Sequence, residues 1–406
     1  MMSFGALQDI RVLDLTQMLA GPYGTMMLAD HGADVIKVES PDGDMTRPSG
    51  PFSDNDQQRT HGGYFQSVNR NKKSIVLDLK TQEGREALKF LVRDADAIVE
   101  NFRVGVMDRL GLSYDVLKKV NPRLVYGALR GFGDPRTGVS PYADWPAFDV
   151  VAQAMGGIMG ITGTGPGAPT KVGPGVGDIV PGMMLAFGVL AAVHHARRTG
   201  EGQFLDISMV DGILAICERM IYQYSVSHTV AVPQGNGHPF LCPFGIFPAK
   251  DGFVAIAAPK QAFFSALCDL IDVPELAADP RFVSPVLRGV NQNALVEILG
   301  ARTSNFTKSE LTERLGGKIP YGPVMQMDEI AGDQHFSIRE MLVPVEQPGC
   351  DHNIYVAGVP IKMTATPGGV HRRGPYLGEH TINVLRDAGL GELQIKQLAE
   401  SRGAEK

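Results

Sequence analysis

The chain has 406 residues, 44% of them hydrophobic, with 38 basic against 44 acidic side chains and a formal charge of −6. That balance excludes binding to nucleic acid through bulk positive charge, and the length supports a large core and two domains. Glycine is in excess, 48 residues or about 12% against a usual share of about 7%, in a chain too apolar to be disordered, so it needs a local explanation.

Ile10–Leu15 (IRVLDL) reads as a buried strand, Tyr23–Asp30 as a helix and Asp34–Val38 as a second strand. A polar stretch with Pro41, Gly43, Pro48, Gly50 and Pro51 predicts a long surface loop to about Gly63. Strand Ser74–Leu79, helix Glu83–Arg93 and strands Ala97–Glu100 and Arg123–Leu129 follow. Strands separated by helices imply βαβ units, an α/β fold and a parallel sheet covered on both faces. Ligands of such sheets bind beyond the carboxyl ends of the strands, which directs attention to Leu15–Pro22, Ser40–Arg47 and Asn101–Arg109.

Between Gly156 and Gly188 lie eleven glycines, the densest cluster, which leads into an apolar helix expected over Met183–Arg197. Strand Phe204–Ser208, a helical pattern over Val210–Ser227, a glycine-proline loop from Pro233 to Pro243 and a hairpin (Phe244–Pro248, Phe253–Ala257) come next. The chain is then mostly helical to about Pro320, and a helix near His380–Ala388 closes it. No leader is expected in residues 1–9, and the apolar run Ile179–Val193, broken by Pro181 and Gly182, is shorter than the roughly 20 residues of a spanning helix. Cys217, Cys242, Cys268 and Cys350 are far apart, so neither a zinc site nor a disulfide framework is expected, and a reducing, cytoplasmic setting is the default.

No G-x-G-x-x-G follows the first strand and no phosphate-binding P-loop exists, which argues against a dinucleotide cofactor. Asp178 closes Gly173-Pro174-Gly175-Val176-Gly177 and precedes the apolar helix, so it reads as a helix cap. An aspartate there is expected to stay ionised, and an ionised carboxylate can act as a nucleophile, with glycines letting a bulky substrate approach. Asp149, at another expected helix start, is a cap or, beside Asp178, a partner in acid/base chemistry. The loop Gly235-Asn236-Gly237-His238-Pro239 is either a plain surface loop or a lid whose N–H groups meet an oxyanion. His194 and His195 end a helix and carry no assigned chemistry. Arg70, Lys72, Lys73, Lys80, Arg103, Arg109 and Arg130 each read as solvated surface charges that together can bind a small polyphosphate.

Several segments in order resemble the class III CoA-transferases, the formyl-CoA and carnitine CoA-transferase (CaiB/BaiF) family. They are Leu13-Asp14-Leu15-Thr16, Ala20-Gly21-Pro22, Gly32–Glu39, Gly43–Arg47, Asn69–Ile75, Val99–Phe102, Gly177-Asp178, Thr199–Gln203, Pro320–Val324 and Leu377–Thr381. The resemblance implies a Rossmann-like large domain (1–200, with 326–406 returning to it), a linker helix (201–230), a smaller α+β domain (231–325) and an interlocked homodimer. It implies CoA transfer between carboxylic acids, with Asp178 as nucleophile and aspartyl anhydride and aspartyl-CoA intermediates. Acyl-CoA is then a substrate, and no cofactor is permanently bound. By position, Met18, Ala20, Leu77, Lys80, Asn101, Phe102, Arg103, Val106, Arg109 and Arg130 match the CoA-contacting set, Gly235–Gly237 the lid, and Asp149 an acidic position near the site. Ser40, Leu19 and Pro146 stand where some members carry arginine, glutamine and lysine. Asn69–Ile75 and Tyr321–Val324 lean toward members that use succinyl-CoA and other dicarboxylates. The related α-methylacyl-CoA racemases place a histidine where this chain has Phe148; a racemase, or a CoA-binding protein without catalysis, are the alternatives.

Overall fold

Short apolar runs, largely buried except in the half-buried edge strand β6, form six strands: β1 (Arg11–Asp14), β2 (Asp34–Glu39), β3 (Lys73–Val76), β4 (Ala97–Glu100), β5 (Val125–Arg130) and β6 (Phe204–Ser208). All neighbours pair in parallel, in the order β3-β2-β1-β4-β5-β6. In register, Leu13 faces Ile36 on one side and Ile98 on the other. The order reverses between β1 and β4, and a crevice opens there beyond the strand ends. This is the order of a doubly wound dinucleotide-binding sheet, here without the glycine fingerprint that a pyrophosphate needs.

The computed structural model describes residues 5–57 and 59–400. The rest of the leaderless segment expected at the start, residues 1–4, and the last part of the returning segment, 401–406, lie outside the described residues. One compact unit comprises Met1–Ile158, Val172–Tyr222 and Gln334–Lys406, so it is built from both chain ends. The return is tied down locally: His380 N–H donates to Ser74 O at 2.9 Å, and the Asn71 amide donates to Gly369 O at 2.8 Å.

The helices that matter to the site are α1 (Ala20–Asp30), α2 (Gly63–Asn69), α3 (Gln82–Val92), α4 (Asp149–Met155), α5 (Val176–Thr199) and α6 (Met209–Ile216). Helix α5 is the main departure from expectation. It starts seven residues before the Met183 read from the sequence, passes through Pro181, and ends at Gly200, whose φ of 80° is the left-handed stop that glycine supplies. Its 24 residues are long and apolar enough to cross a membrane by length and composition. In the fold it is a packed element: Leu185, Val189 and Val193 are buried, with Leu185 lying over Gly127 of β5. The glycines within it are packing surfaces rather than breakers. A Cβ at Gly24 would lie 2.4 Å from Gly182 O, and one at Gly182 would lie 2.4 Å from Ala20 O, so α1 and α5 cross backbone against backbone.

A second correction concerns charge. Arg70 and Lys72 are not solvated surface groups but are buried. Lys72 Nζ lies 3.0 Å from Asp14 Oδ2 and 2.8 Å from Asn69 Oδ1, and Arg70 pairs with Asp30 at 2.7 Å. Lys37–Asp44 (2.8 Å) and Arg47–Glu39 (2.6 Å) extend the same buried lattice beneath the loops that follow β1 and β2. Burial alone would raise the Asp14 carboxyl, yet the Lys72 and Lys37 ammonium groups hold it far below its usual range.

The second unit comprises Met159–Lys171 and Gln223–Asp333. An antiparallel sheet in the order β7-β8-β9 (Phe244–Ala249, Gly252–Ala257, Tyr321–Pro323) packs Phe247, Val254 and Ile256 into a core with Phe264, Leu295 and Leu299. Arg288 is fully buried there, its guanidinium donating to the carbonyls of Cys242, Pro259 and Phe282 at 2.6–3.1 Å.

Candidate active site

At the point where the strand order reverses, the loops after β1 and β4 are stitched together by one side chain. Asn101 accepts from Gln17 N–H at 2.9 Å and donates to Gln17 O at 2.8 Å. Met18 beside it has a φ of 68°, an uncommon conformation for a side chain of its size. These loops wall a cavity of about 600 Å³. Met18, Ala20, Asn101, Phe102, Arg103, Val106, Arg109, Arg130 and Asp178, expected from the sequence, all line it. Gln17 and Met45, from the loops that the topology singled out, Phe148, which stands where the racemases carry histidine, and Trp145, which the sequence reading did not select, line it as well. Leu77 lies instead in the core, Lys80 is exposed in the turn after β3, and neither lines this cavity.

Arg130 ends β5 between two carboxylates, 2.7 Å from Glu100 and 3.0 Å from Asp134. Burial pushes the Glu100 carboxyl up to about 7, with Arg130 opposing the rise. The opposite wall is apolar. Trp145 and Phe148 are 55% and 56% exposed, and the Trp145 ring lies 4.8 Å from that of Tyr142.

Asp178 is the third residue of α5, not its cap; the cap position belongs to Gly175. The carboxylate that satisfies the helix start comes from Asp149, which accepts from Gly177 N–H at 2.8 Å. Asp149 thus caps α5 across space rather than its own helix, α4, and a sequence read locally cannot show this. Among the described residues no hydrogen-bond donor reaches the Asp178 carboxylate, and its acidity departs from the expectation of a permanently ionised group. Burial, and then the charge of Asp149, push the Asp178 carboxyl up to about 7. The helix terminus favours the anion, but desolvation and a like charge outweigh it. Tyr64 on α2 was missed because that segment reads as the end of a loop. Burial and the charges of Asp178, Asp44 and Asp149 raise its phenol.

Gly177 has no room for a side chain: a Cβ there would lie 2.5 Å from Asp149 O. Gly177→Ala is expected to push α4 off the start of α5, with a loss of activity of at least about tenfold and about 1–3 kcal/mol of stability in urea unfolding. A fully active, equally stable variant would show that the contact is dispensable.

Gly235 and Gly237 lie in the second unit. Gly235 has a φ of 65° and donates its N–H to Gly163 O at 3.0 Å, and Gly237 pairs with Gly245 in an isolated bridge.

Residues 7–381 match the family model for CoA-transferase family III. The chain belongs to that family. Similar curated proteins include succinyl-CoA:mesaconate CoA-transferase of Haloarcula hispanica, 49% identical over 95% of this chain and 97% of that one. Succinate–glutarate CoA-transferase of Agrobacterium fabrum is 37% identical over 94% of this chain and 95% of that one. The crystal structure of a CaiB/BaiF family protein from Brucella suis superposes with a TM-score of 0.85 at 34% identity, covering 95% of this chain and 100% of that chain. As a family III CoA-transferase the chain is an enzyme, and its substrates are CoA thioesters and carboxylates.

Proposed function

We propose that this CoA-transferase moves CoA from succinyl-CoA to a second carboxylic acid, a dicarboxylate, through covalent intermediates on Asp178. The observation that carries this reading is the placement of Asp178: a carboxylate that no hydrogen-bond donor reaches among the described residues, in a cavity lined by basic and aromatic side chains. An Asp178 oxygen attacks the thioester carbonyl carbon, the C–S bond breaks, and CoA leaves as thiolate beside an aspartyl-succinyl anhydride. The thiolate attacks the aspartyl carbonyl and releases succinate, leaving an aspartyl-CoA thioester. The acceptor carboxylate then displaces the thiolate to form a second anhydride. Attack of the thiolate on the acceptor's acyl carbon yields the new thioester and restores Asp178. Each intermediate keeps an activated acyl bond, so the exchange proceeds near equilibrium.

Arg103, Arg109 and Arg130 supply positive charge for the CoA phosphates, and Asn101 and Met18 shape the floor on which the thioester rests. Contacts of CoA with Leu77 and Lys80, a catalytic part for Asp149 and a covering role for Gly235 and Gly237 belong to this reading through the family resemblance. So does the interlocked homodimer. Its support is apolar surface on α5 and α6, where Met183, Phe187, Leu214 and Ile216 are exposed, Phe187 by 76%. A cytoplasmic setting accords with four free cysteines.

Incubation with succinyl-CoA followed by mass spectrometry is expected to find CoA attached to Asp178, and borohydride is expected to trap the reduced residue. Because the nucleophile is the anion of a group that titrates at about 7, the rate of adduct formation should rise with pH through that value. Label on another residue, or a rate flat between pH 5.5 and 8.5, would overturn the assignment.

A further inference from the structure

Gln153 sits on α4, one turn beyond Asp149, and is fully buried. Its amide nitrogen donates to both oxygens of Asp149, at 2.9 and 3.0 Å, and lies 3.4 and 3.5 Å from the carbonyls of Val172 and Pro174. Its amide oxygen accepts from Val172 N–H at 2.9 Å. The orientation of the amide is therefore fixed by its surroundings. Reversed, its oxygen would face four acceptor oxygens and the Val172 N–H would face an NH2 group. Gly177 N–H adds a further donor to Asp149 Oδ1 at 2.8 Å. Three donor contacts thus converge on the Asp149 carboxylate, whereas among the described residues no donor reaches that of Asp178.

We propose that Gln153 is a positioning residue that decides which member of the carboxylate pair carries the proton: by holding Asp149 as the anion it makes Asp178 the group that takes up and releases it. This rests on the reading of Asp178 as the nucleophile and adds a control to it. The pair titrates as a unit, so whichever carboxylate is pinned as the anion sets the pH at which the other ionises. The titratable groups that face Asp178 are Asp149 from α4 and the Tyr64 phenol from α2. The other charged side chains lining the cavity are Arg103, Arg109, Arg130 and Asp144. The raised position of the Asp178 carboxyl, about 7, agrees with this arrangement.

Gln153→Met keeps the length of the side chain and removes the donors. With those donors gone the proton is no longer directed to Asp178, and the pH midpoint of aspartyl-CoA formation is expected to fall by roughly one unit. A slower variant whose midpoint is unchanged would show that Gln153 only supports the fold, and would overturn the proposal. Infrared spectroscopy of the resting enzyme at pH 6 tests it without that variant and without turnover. The protonated-carboxyl band should lose intensity in Asp178→Asn relative to the parent. Loss of that intensity in Asp149→Asn, with the band intact in Asp178→Asn, would place the proton on Asp149 and sink the proposal. If the band behaves as expected while no CoA is transferred, the catalytic reading fails and the proton assignment stands.

Discussion

Asp178→Asn should abolish CoA transfer and, above pH 7, yield a protein more stable than its parent. Loss of activity follows because an amide cannot form the anhydride; with the covalent route closed, transfer should fall by at least about a thousandfold. The gain in stability follows from linkage. The Asp178 carboxyl is raised from 3.8 to about 7 in the fold, so the folded state holds a proton that the unfolded chain releases. That contribution is fully present below 3.8 and is lost as pH rises through the window up to about 7. The neutral amide escapes the loss. The variant's advantage should thus emerge above pH 4, grow to about pH 7 and level off, reaching about 1–3 kcal/mol once partial solvent exposure is allowed for. Urea unfolding at pH 4 and pH 8 measures it; an equal difference at both would refute the linkage.

Lys72→Met is expected to be the more damaging change to the fold. It removes the buried ammonium 3.0 Å from Asp14 and leaves that carboxylate at the end of β1 with Lys37 as its remaining cationic neighbour. Removing one partner of a buried pair costs about 3–5 kcal/mol. The hydrogen bonds to Asp14 from Thr16 N–H (2.9 Å) and Thr25 (2.7 Å) moderate the cost without replacing the charge. Since Asp14 anchors the loop that carries Met18 and Ala20, binding of CoA should weaken along with stability. The double variant Asp14→Asn with Lys72→Met should recover part of the loss. A single variant within about 0.5 kcal/mol of the parent in urea would show that the pair is not needed.

The parallel sheet was legible because its strands are short apolar runs with helices between, and burial on both faces leaves that composition whatever the partners are. The crevice followed from topology; the choice of Met18, Asn101, Phe102 and Arg103 within its loops followed from the family resemblance. What the sequence hid were partnerships between residues far apart in it. Arg70 and Lys72 read as surface charges because Asp30 and Asp14 are 40 and 58 positions away. Asp149 read as a cap for the helix it begins, while the N–H it satisfies is that of Gly177, 28 positions on. Helix α5 read as starting after Pro181, because glycines that serve as contact surfaces look in one dimension like glycines that end helices. Asp178 read as ionised because only its own helix was visible, and the burial and the second carboxylate that raise it were not.

The crossing at Gly24 and Gly182 has a mechanical consequence. Ala20, at the start of α1, lines the cavity, and its carbonyl lies where any Cβ on Gly182 would intrude; Asp178 is one turn earlier on the same helix as Gly182. The loop that lines the cavity and the Asp178 carboxylate are therefore carried by two helices that meet backbone to backbone at that crossing. So close a joint fixes where the Asp178 carboxylate stands against the cavity.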